Sequence, residues 1–121
     1  MRILGFSEKW IKLGRKEFTT FRFARKDKDW KEGEVVQVVY KPRSKTRQIL
    51  GVAEIIGKEP RWMKPKLRKD IPDITDREAV VDGFEGWREM WAWLLKRYDI
   101  RRLLGEPMNK LTLKWVEREP G

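Results

Sequence analysis

The most regular hydrophobic pattern in this chain lies between Trp87 and Tyr98. Apolar side chains recur there at the i, i+3, i+4 spacing of a single helix face, at Trp87, Met90, Trp91, Leu94, Leu95 and Tyr98. This spacing predicts an amphipathic helix. Trp93 falls outside the stripe, so it is expected either to mark a subunit contact or to pack beneath the N-terminal segment. The sequence therefore leaves the oligomeric state open.

Runs rich in β-branched and aromatic residues predict strands, with turn residues between them. The predicted strands are 2–6, 18–23, 34–40, 48–56 and 109–117. The run 34–40 is rich in valine on both of its faces, as expected for a strand of a small closed barrel with a helix packed outside. The sequence thus predicts an α+β fold: a small mixed β-barrel of five to six strands with two to three helices packed on it.

Capping and breaking residues place the shorter elements. Ser7 is a candidate N-cap for a short helix that ends at Gly14, and Thr75 is a candidate N-cap for an acidic helix that ends at Gly83. Three prolines between residues 58 and 72 predict a long basic loop instead of a regular helix. We find no internal repeat and expect one domain over residues 1–121.

Composition narrows the class of partner. The 121 residues include 29 Lys and Arg against 19 Asp and Glu, a formal net charge of +10. Such an excess attracts polyanions, of which RNA is the leading candidate, although a basic surface can also serve solubility alone. Charged residues make up 40% of the chain, which with few amides and no cysteine is typical of proteins from heat-loving microbes. We expect a cytoplasmic, archaeal-type protein.

Missing residue types exclude several chemistries. The chain has no histidine and no cysteine, which excludes a Ser-His-Asp triad, a thiol nucleophile, a zinc finger and a disulfide framework. It also has no Gly-rich phosphate loop and no apolar run long enough to span a bilayer. We therefore expect no metal, no other cofactor and no membrane contact.

Charge is distributed unevenly along the sequence. Residues 9–28 contain eight basic and two acidic residues, and residues 41–70 contain ten basic and three acidic residues. Between residues 73 and 89 the balance reverses, with six acidic and two basic residues. This acidic segment either pairs with its neighbours or forms a carboxylate wall opposite cationic strands, as a cleft would require.

The stretch 14–22 carries the strongest candidate chemistry. If a strand begins at Lys16, its period of two places Lys16, Phe18, Thr20 and Arg22 on one face. Two cations and a hydroxyl on one rigid face suit a phosphate, a carbonyl group or a base edge. The alternative is a sheet edge whose charges are solvated, and the residues alone favour neither.

Aromatic and basic residues also alternate in the proline-rich loop. Trp62 and Met63 lie among cations, an arrangement that holds unpaired bases by stacking and phosphate contacts. The alternative is that Trp62 closes one end of the barrel while the cations are solvated. Residues 41–47 form a second basic loop.

The order of these elements resembles the ASCH domain family, a branch of the PUA-like barrel superfamily. The resemblance covers nearly the whole chain and rests on four short motifs. They are Gly14-Arg15-Lys16 with Arg22, the segment 31–36, Asp82-Gly83-Phe84 followed by Trp87, and the segment 108–113. Each motif is weak alone, but their shared order is fairly specific. The resemblance implies a barrel with a cleft for RNA or a nucleotide.

Some members of that family remove the acetyl group of N4-acetylcytidine, using a Lys and a Thr on the second strand and a Glu in the acidic helix. By resemblance, the catalytic residues here are Lys16, Thr20 and Asp82. Thr20 matches by its distance from Arg22, whereas Thr19 matches by its distance from Lys16, because this chain has one extra residue between Lys and Arg. Asp82 is one methylene shorter than the family's Glu.

The sequence thus predicts an RNA-binding module, with deacetylation of a modified nucleoside as the alternative and RNA cleavage as a less favoured one. A protein–protein interaction domain without a ligand is a third class. We expect the second strand to face Asp82 across one cleft, with Trp62 at the rim and a β-bulge absorbing the extra residue. The predicted RNA contacts are Arg15, Lys16, Arg22, Arg43, Lys45, Arg61, Trp62, Lys64, Lys66 and Arg68.

Overall fold

The protein's computed structural model describes residues 1–65 and 70–119. Its strands are β1 (Arg2–Phe6), β2 (Glu17–Arg22), β3 (Val35–Tyr40), β4 (Gln48–Arg61) and β5 (Met108–Arg118). Its helices are a 3-10 helix (Ile11–Gly14), α1 (Asp76–Asp82), α2 (Trp87–Leu95) and α3 (Ile100–Gly105).

The five strands form one sheet in the order β1-β3-β4-β5-β2, which curls into a half-barrel. β1 pairs with β3 in parallel, and the other neighbouring strands are antiparallel. The predicted α+β class and small mixed barrel with helices are confirmed. No helix within residues 1–65 and 70–119 combines the length and apolar character needed to cross a membrane.

β4 is longer than predicted, because residues 58–61 continue the strand instead of starting a loop. Pro60 pairs in register with Asn109 of β5. Beyond Glu54, the described residues place no strand on the other side of β4. Proline is tolerated at such a sheet edge because no neighbour needs its missing N–H. Lys66 and Arg68, two of the predicted RNA contacts, lie outside the described residues.

Two hydrophobic clusters share β2 between them. Phe18 belongs to the cluster inside the curled sheet, together with Leu4, Val36, Ile55 and Leu113. Phe21 belongs to the cluster beneath the helices, together with Met63, Ile74, Met90 and Leu94. This division follows from the alternation of side chains along a strand. As a result Thr19 and Thr20, which lie between the two phenylalanines, are both buried.

Local signals explain α1 and place its last residue, Asp82. Thr75 is the predicted N-cap, and with Glu78 it forms a capping box: Glu78 N–H donates to Thr75 Oγ1 at 3.1 Å and Thr75 N–H donates to Glu78 Oε1 at 3.0 Å. Gly83 ends the helix in the left-handed conformation, at φ 118°. A Cβ on Gly83 would also lie 3.2 Å from the Trp10 ring. The predicted boundaries of this helix are confirmed.

Of the other helix predictions, one is confirmed and one is wrong. The helix predicted from Trp87 is confirmed as α2, but it ends at Leu95, before Tyr98, the last position of the predicted stripe. The predicted Ser7 cap is wrong: the N-terminal element is a 3-10 turn that begins after Trp10 and has no side-chain cap. α3 was not predicted, although Asp99 caps it by accepting a hydrogen bond from the Arg101 N–H at 2.8 Å.

Arg2 of β1 binds the segment that connects β2 to β3. Its guanidinium donates to both carboxylate oxygens of Glu34 at 2.6 Å and to the backbone carbonyls of Lys28 and Asp29. It also lies over the Trp30 ring, 4.4 Å from the centroid. The bidentate pair is largely buried, so its loss is costly.

We expect Glu34→Gln to lower the free energy of unfolding by about 1–2 kcal/mol at neutral pH. The hydrogen bond from Arg2 holds the pKa of Glu34 below its ordinary value of 4.5. This contribution is therefore present above pH 4.5 and is lost as the pH falls through the folded-state pKa. The variant should lose less stability on acidification than the native protein, measured by urea unfolding across the acid range. Exposed Glu32, changed to Gln, is the matched control and should change neither quantity.

Candidate functional site: a basic cavity between β1 and β2

A cavity of about 680 Å³ opens where the two edge strands of the half-barrel, β1 and β2, approach each other. Helix α2 and the loop after β3 form its other walls. Aromatic side chains contribute much of the lining, at Phe6, Phe21, Trp10, Phe84, Trp93 and Tyr98. Five cations and one carboxylate also line it, namely Lys12, Arg22, Lys41, Arg43, Arg97 and Asp82. The cavity is therefore both aromatic and strongly basic.

One wall of the cavity contains a buried ion pair. Lys12 Nζ, from the 3-10 helix, donates to Asp82 Oδ1 at 3.1 Å, and Thr19 Oγ1 donates to the same oxygen at 2.8 Å. All three residues are buried. Burial raises the pKa of Asp82 and lowers the pKa of Lys12, although their mutual attraction opposes both shifts. Lys12 therefore loses its proton more readily, and Asp82 keeps a proton more readily, than the same side chains would in water.

Arg22 lies where β1 and β2 approach each other, a line of contact that we call the seam. Its Nε donates to Thr20 Oγ1 at 3.0 Å, its Nη2 donates to the Gly5 carbonyl at 2.7 Å, and its guanidinium lies 4.8 Å from the Phe6 ring centroid. Burial lowers the pKa of Arg22, but an arginine guanidinium remains charged in proteins. Within the described part of the chain, no carboxylate lies within ion-pair distance of Arg22. It is a partly buried cation whose charge is not directly paired.

The exposed cations Lys41, Arg43 and Arg97 surround the opening, and we call them the mouth. Lys41 adopts the left-handed conformation, at φ 48°, and its N–H donates to the Phe6 carbonyl at 2.8 Å. The next residue, Pro42, packs so closely on Gly5 that a Cβ there would lie 2.7 Å from Pro42 Cγ. These two contacts hold the loop against β1.

Trp93 packs against the N-terminal segment, one of its two predicted positions. Its ring lies 5.8 Å from that of Trp10 and 5.6 Å from that of Phe84, measured between centroids. The Arg97 guanidinium covers it at 3.8 Å. Trp93 Nε1 is buried and makes no hydrogen bond to any described residue.

Lys16 does not lie where the sequence analysis placed it. It precedes β2, is exposed, and is absent from the lining of the cavity. The predicted bulge is also missing, since β2 pairs with β5 in unbroken register from Glu17 to Arg22. The amine beside Asp82 comes instead from Lys12, which lies outside the strand. Thr20 and Asp82 line the cavity as expected, whereas Thr19 binds Asp82.

Seven further predicted RNA contacts lie within the described residues, which exclude Lys66 and Arg68. Of those seven, only Arg22 and Arg43 line the cavity. Arg15 donates to the Val81 carbonyl at 3.0 Å, and Arg61 is paired with Glu78 at 3.1 Å. Lys45 is exposed in the loop after β3.

Trp62 and Lys64 lie away from this cavity. Trp62 forms an isolated parallel bridge with Asp73, so its predicted place at the rim is wrong. Lys64 Nζ lies over Trp87 and Trp91, at 5.0 and 5.4 Å from the ring centroids.

Sequence reasoning missed Lys12, Lys41 and Arg97. The signal for Lys12 in the sequence was weak: it lies between two apolar residues, Ile11 and Leu13, in a segment predicted to be an amphipathic helix. In the structure Leu13 is buried and Ile11 is exposed. Lys41 and Arg97 gave none, since both read as ordinary solvated charges at the ends of regular elements. Their convergence is a property of the fold.

The described residues contain no group of three or more side chains able to hold a metal ion. Comparison of the sequence with protein-family models and with curated proteins finds no match, and neither does comparison with solved structures.

Proposed function

We propose that this protein binds RNA by enclosing one nucleotide in the cavity between β1 and β2. The main observation is the composition of the cavity lining. Its described residues include five cations and six aromatic side chains but a single carboxylate. That carboxylate, Asp82, is already engaged by Lys12 and Thr19. The ligand that best complements such a lining is anionic and has a flat face.

A nucleotide has both properties. Its base offers a π face to aromatic side chains, and its phosphate pairs with the cations. The cavity, at about 680 Å³, falls in the range of about 300–1,000 Å³ that encloses one small organic ligand. Bases in a duplex are stacked and paired, so single-stranded or terminal nucleotides are the ones that fit. The overall charge of +10 and the resemblance to ASCH domains support the same function.

Fluorescence anisotropy with a labelled single-stranded RNA octamer tests this function. We expect binding at low salt that weakens as salt rises, with a slope of roughly −0.7 per neutralised phosphate in a plot of log K against log salt. A duplex of the same sequence should bind less tightly at every salt concentration. Absence of RNA binding at low salt would contradict the proposal, as would undiminished affinity in high salt.

The contact between Gly5 and Pro42 offers a test of the cavity where the loop after β3 meets β1. Gly5→Ala should push the loop at Pro42 outward, because the new Cβ would lie 2.7 Å from Pro42 Cγ, and should weaken RNA binding by roughly tenfold. Gly105→Ala is the matched control, since no atom lies within 4 Å of its added Cβ. Equal RNA affinity of the two variants in the anisotropy assay would show that the mouth is not used.

The buried Lys12–Asp82 pair favours a second candidate function, hydrolysis of an amide on a modified nucleoside. Asp82 has a raised pKa and lies on the cavity wall with Lys12 and Thr20. It could take a proton from a water molecule that attacks the acetyl carbonyl and return that proton to the N4 amine as the C–N bond breaks, which gives acetate and cytidine. Lys12 replaces the Lys16 of the sequence prediction. Arg22 would then stabilise the negative charge that develops on the carbonyl oxygen.

Incubation of the protein with N4-acetylcytidine, followed by chromatography for cytidine, tests this candidate. If the protein is an enzyme, we expect turnover that falls by roughly a hundredfold or more in Asp82→Asn, which removes the proton acceptor with little change in shape. Native protein that gives no cytidine anywhere between roughly pH 5 and 9 would refute the enzymatic function and leave RNA binding unaffected.

A further inference from the structure

Resting on the proposed function, the geometry points to a terminal phosphate as the group that Arg22 binds. The RNA would thus be held by a phosphorylated end, and the cavity would take a nucleotide phosphomonoester instead of an internal segment of the strand.

The charge at the seam is the first argument. Lys12 and Arg22 are two cations in a desolvated wall, and Asp82 is the only carboxylate among the described residues that line the cavity. Asp82 pairs directly with Lys12 and acts on Arg22 only from a distance, so the charge of Arg22 has no carboxylate in contact with it among the described residues. A neutral base edge would leave the charge of Arg22 uncompensated. A phosphomonoester would compensate it, because it carries a charge of about −1.5 to −2 at neutral pH.

The hydrogen-bonding groups at the seam give the second argument. Arg22 has five N–H donors, and the described residues engage its Nε and Nη2 only. Thr20 Oγ1 accepts from Arg22, so its own O–H is free to donate to a ligand. Both groups offer donors, and a phosphate offers only acceptors. The planar fork of arginine suits two phosphate oxygens at once.

The size of the cavity gives the third argument, because it distinguishes an end from an internal position. An internal phosphodiester has a nucleotide on each side and carries a single charge. To reach Arg22 it would have to bring both neighbours into a space of about 680 Å³. A terminal phosphate needs only its own nucleotide to enter, and the following phosphates then lie near the mouth cations Lys41 and Arg43.

Anisotropy with three internally labelled RNA octamers of one sequence tests the inference. One carries a 5′-phosphate, one a 3′-phosphate, and one a hydroxyl at both ends. At moderate salt we expect one phosphorylated form to bind roughly tenfold or more tighter than the hydroxyl form, as one charge-assisted bidentate contact provides. Which form it is identifies the end. Inorganic phosphate at millimolar concentration should reduce that preference.

Arg22→Gln and Arg22→Lys should bind all three RNAs with similar affinity, because neither side chain offers the charged fork. Arg47→Gln removes an exposed cation outside the cavity and should keep the preference. Thermal melts check folding. If Arg22→Gln does not fold, Arg22→Lys and Thr20→Val carry the test.

Equal binding of the three RNAs by the native protein would overturn the inference and leave the proposed function standing. A preference that survives in both Arg22→Lys and Thr20→Val would also overturn it, by moving the phosphate elsewhere. Failure of every RNA to bind at low salt would instead overturn the proposed function, and the inference with it.

Discussion

Asp82→Ala is expected to lower the free energy of unfolding by about 3–5 kcal/mol, the cost of leaving one partner of a buried ion pair without the other. Asp82 is the only carboxylate paired with Lys12 in the described structure, and the exposed fractions of the two side chains are 6% and 3%. Removal of the carboxylate also takes away the acceptor of the Thr19 hydroxyl. Urea unfolding at neutral pH measures the loss.

Two control variants distinguish the effect of an unpaired buried charge from the effect of losing the Asp82 side chain. The double variant Lys12→Met/Asp82→Asn should be more stable than Asp82→Ala, because no buried charge is left alone. Asp27→Ala removes an exposed carboxylate and should leave stability nearly unchanged. A loss of similar size in Asp82→Ala and in the double variant would show that packing, not charge, explains the effect.

The pH dependence of Asp82→Ala gives an independent readout. Burial already holds the pKa of Lys12 below its ordinary value of 10.5, and loss of Asp82 lowers that pKa further. Between this lowered pKa and 10.5 the unfolded state binds more protons than the folded state, so stability rises with pH. The variant should therefore recover part of its lost stability in alkaline solution, whereas a variant damaged only in packing would not.

The second large effect is expected at the mouth. Lys41→Gln/Arg43→Gln should weaken binding of single-stranded RNA by roughly thirtyfold at low salt, at about 1 kcal/mol for each lost phosphate contact. The slope of log K against log salt should become shallower by about 1.4, because each phosphate contact contributes about 0.7. Anisotropy titrations at several salt concentrations measure both quantities.

The matched control is Lys26→Gln/Lys28→Gln, which removes the same net charge from an exposed loop that does not line the cavity. If the whole basic surface binds RNA without a site, both double variants should lose affinity equally. That result would contradict the cavity as the binding site even though RNA binding itself was observed.

Much of the secondary structure could be read from the sequence because its signals are local. The stripe of α2 and the Thr75 and Gly83 signals of α1 depend on neighbours within one or two turns. Prediction failed where a distant partner decided the conformation. Residues 58–61 remain extended because β5 pairs with them, whereas the three prolines between residues 58 and 72 suggested a loop that starts at residue 58.

The candidate site could be predicted only in part, for the same reason. Thr20, Arg22 and Asp82 stood out because motif resemblance placed a strand opposite an acidic helix, and all three line the cavity. Lys16 was chosen because it matched the family's Gly-x-Lys motif and continued the spacing of the strand. That choice was local, whereas burial beside Asp82 depends on a contact across 70 residues of sequence.

By itself, the sequence determined the α+β class, the strongly basic character, the absence of thiol and imidazole chemistry, and the position of the principal helix. These follow from composition and from periodicity, which act over a few residues. Only the tertiary structure decided which lysine meets Asp82, which threonine faces the cavity, and which cations converge at its mouth. Lys12, Arg22 and Arg97 become neighbours of one cavity because the sheet curls until β1 meets β2 and α2 packs across the seam, and no local pattern encodes that closure.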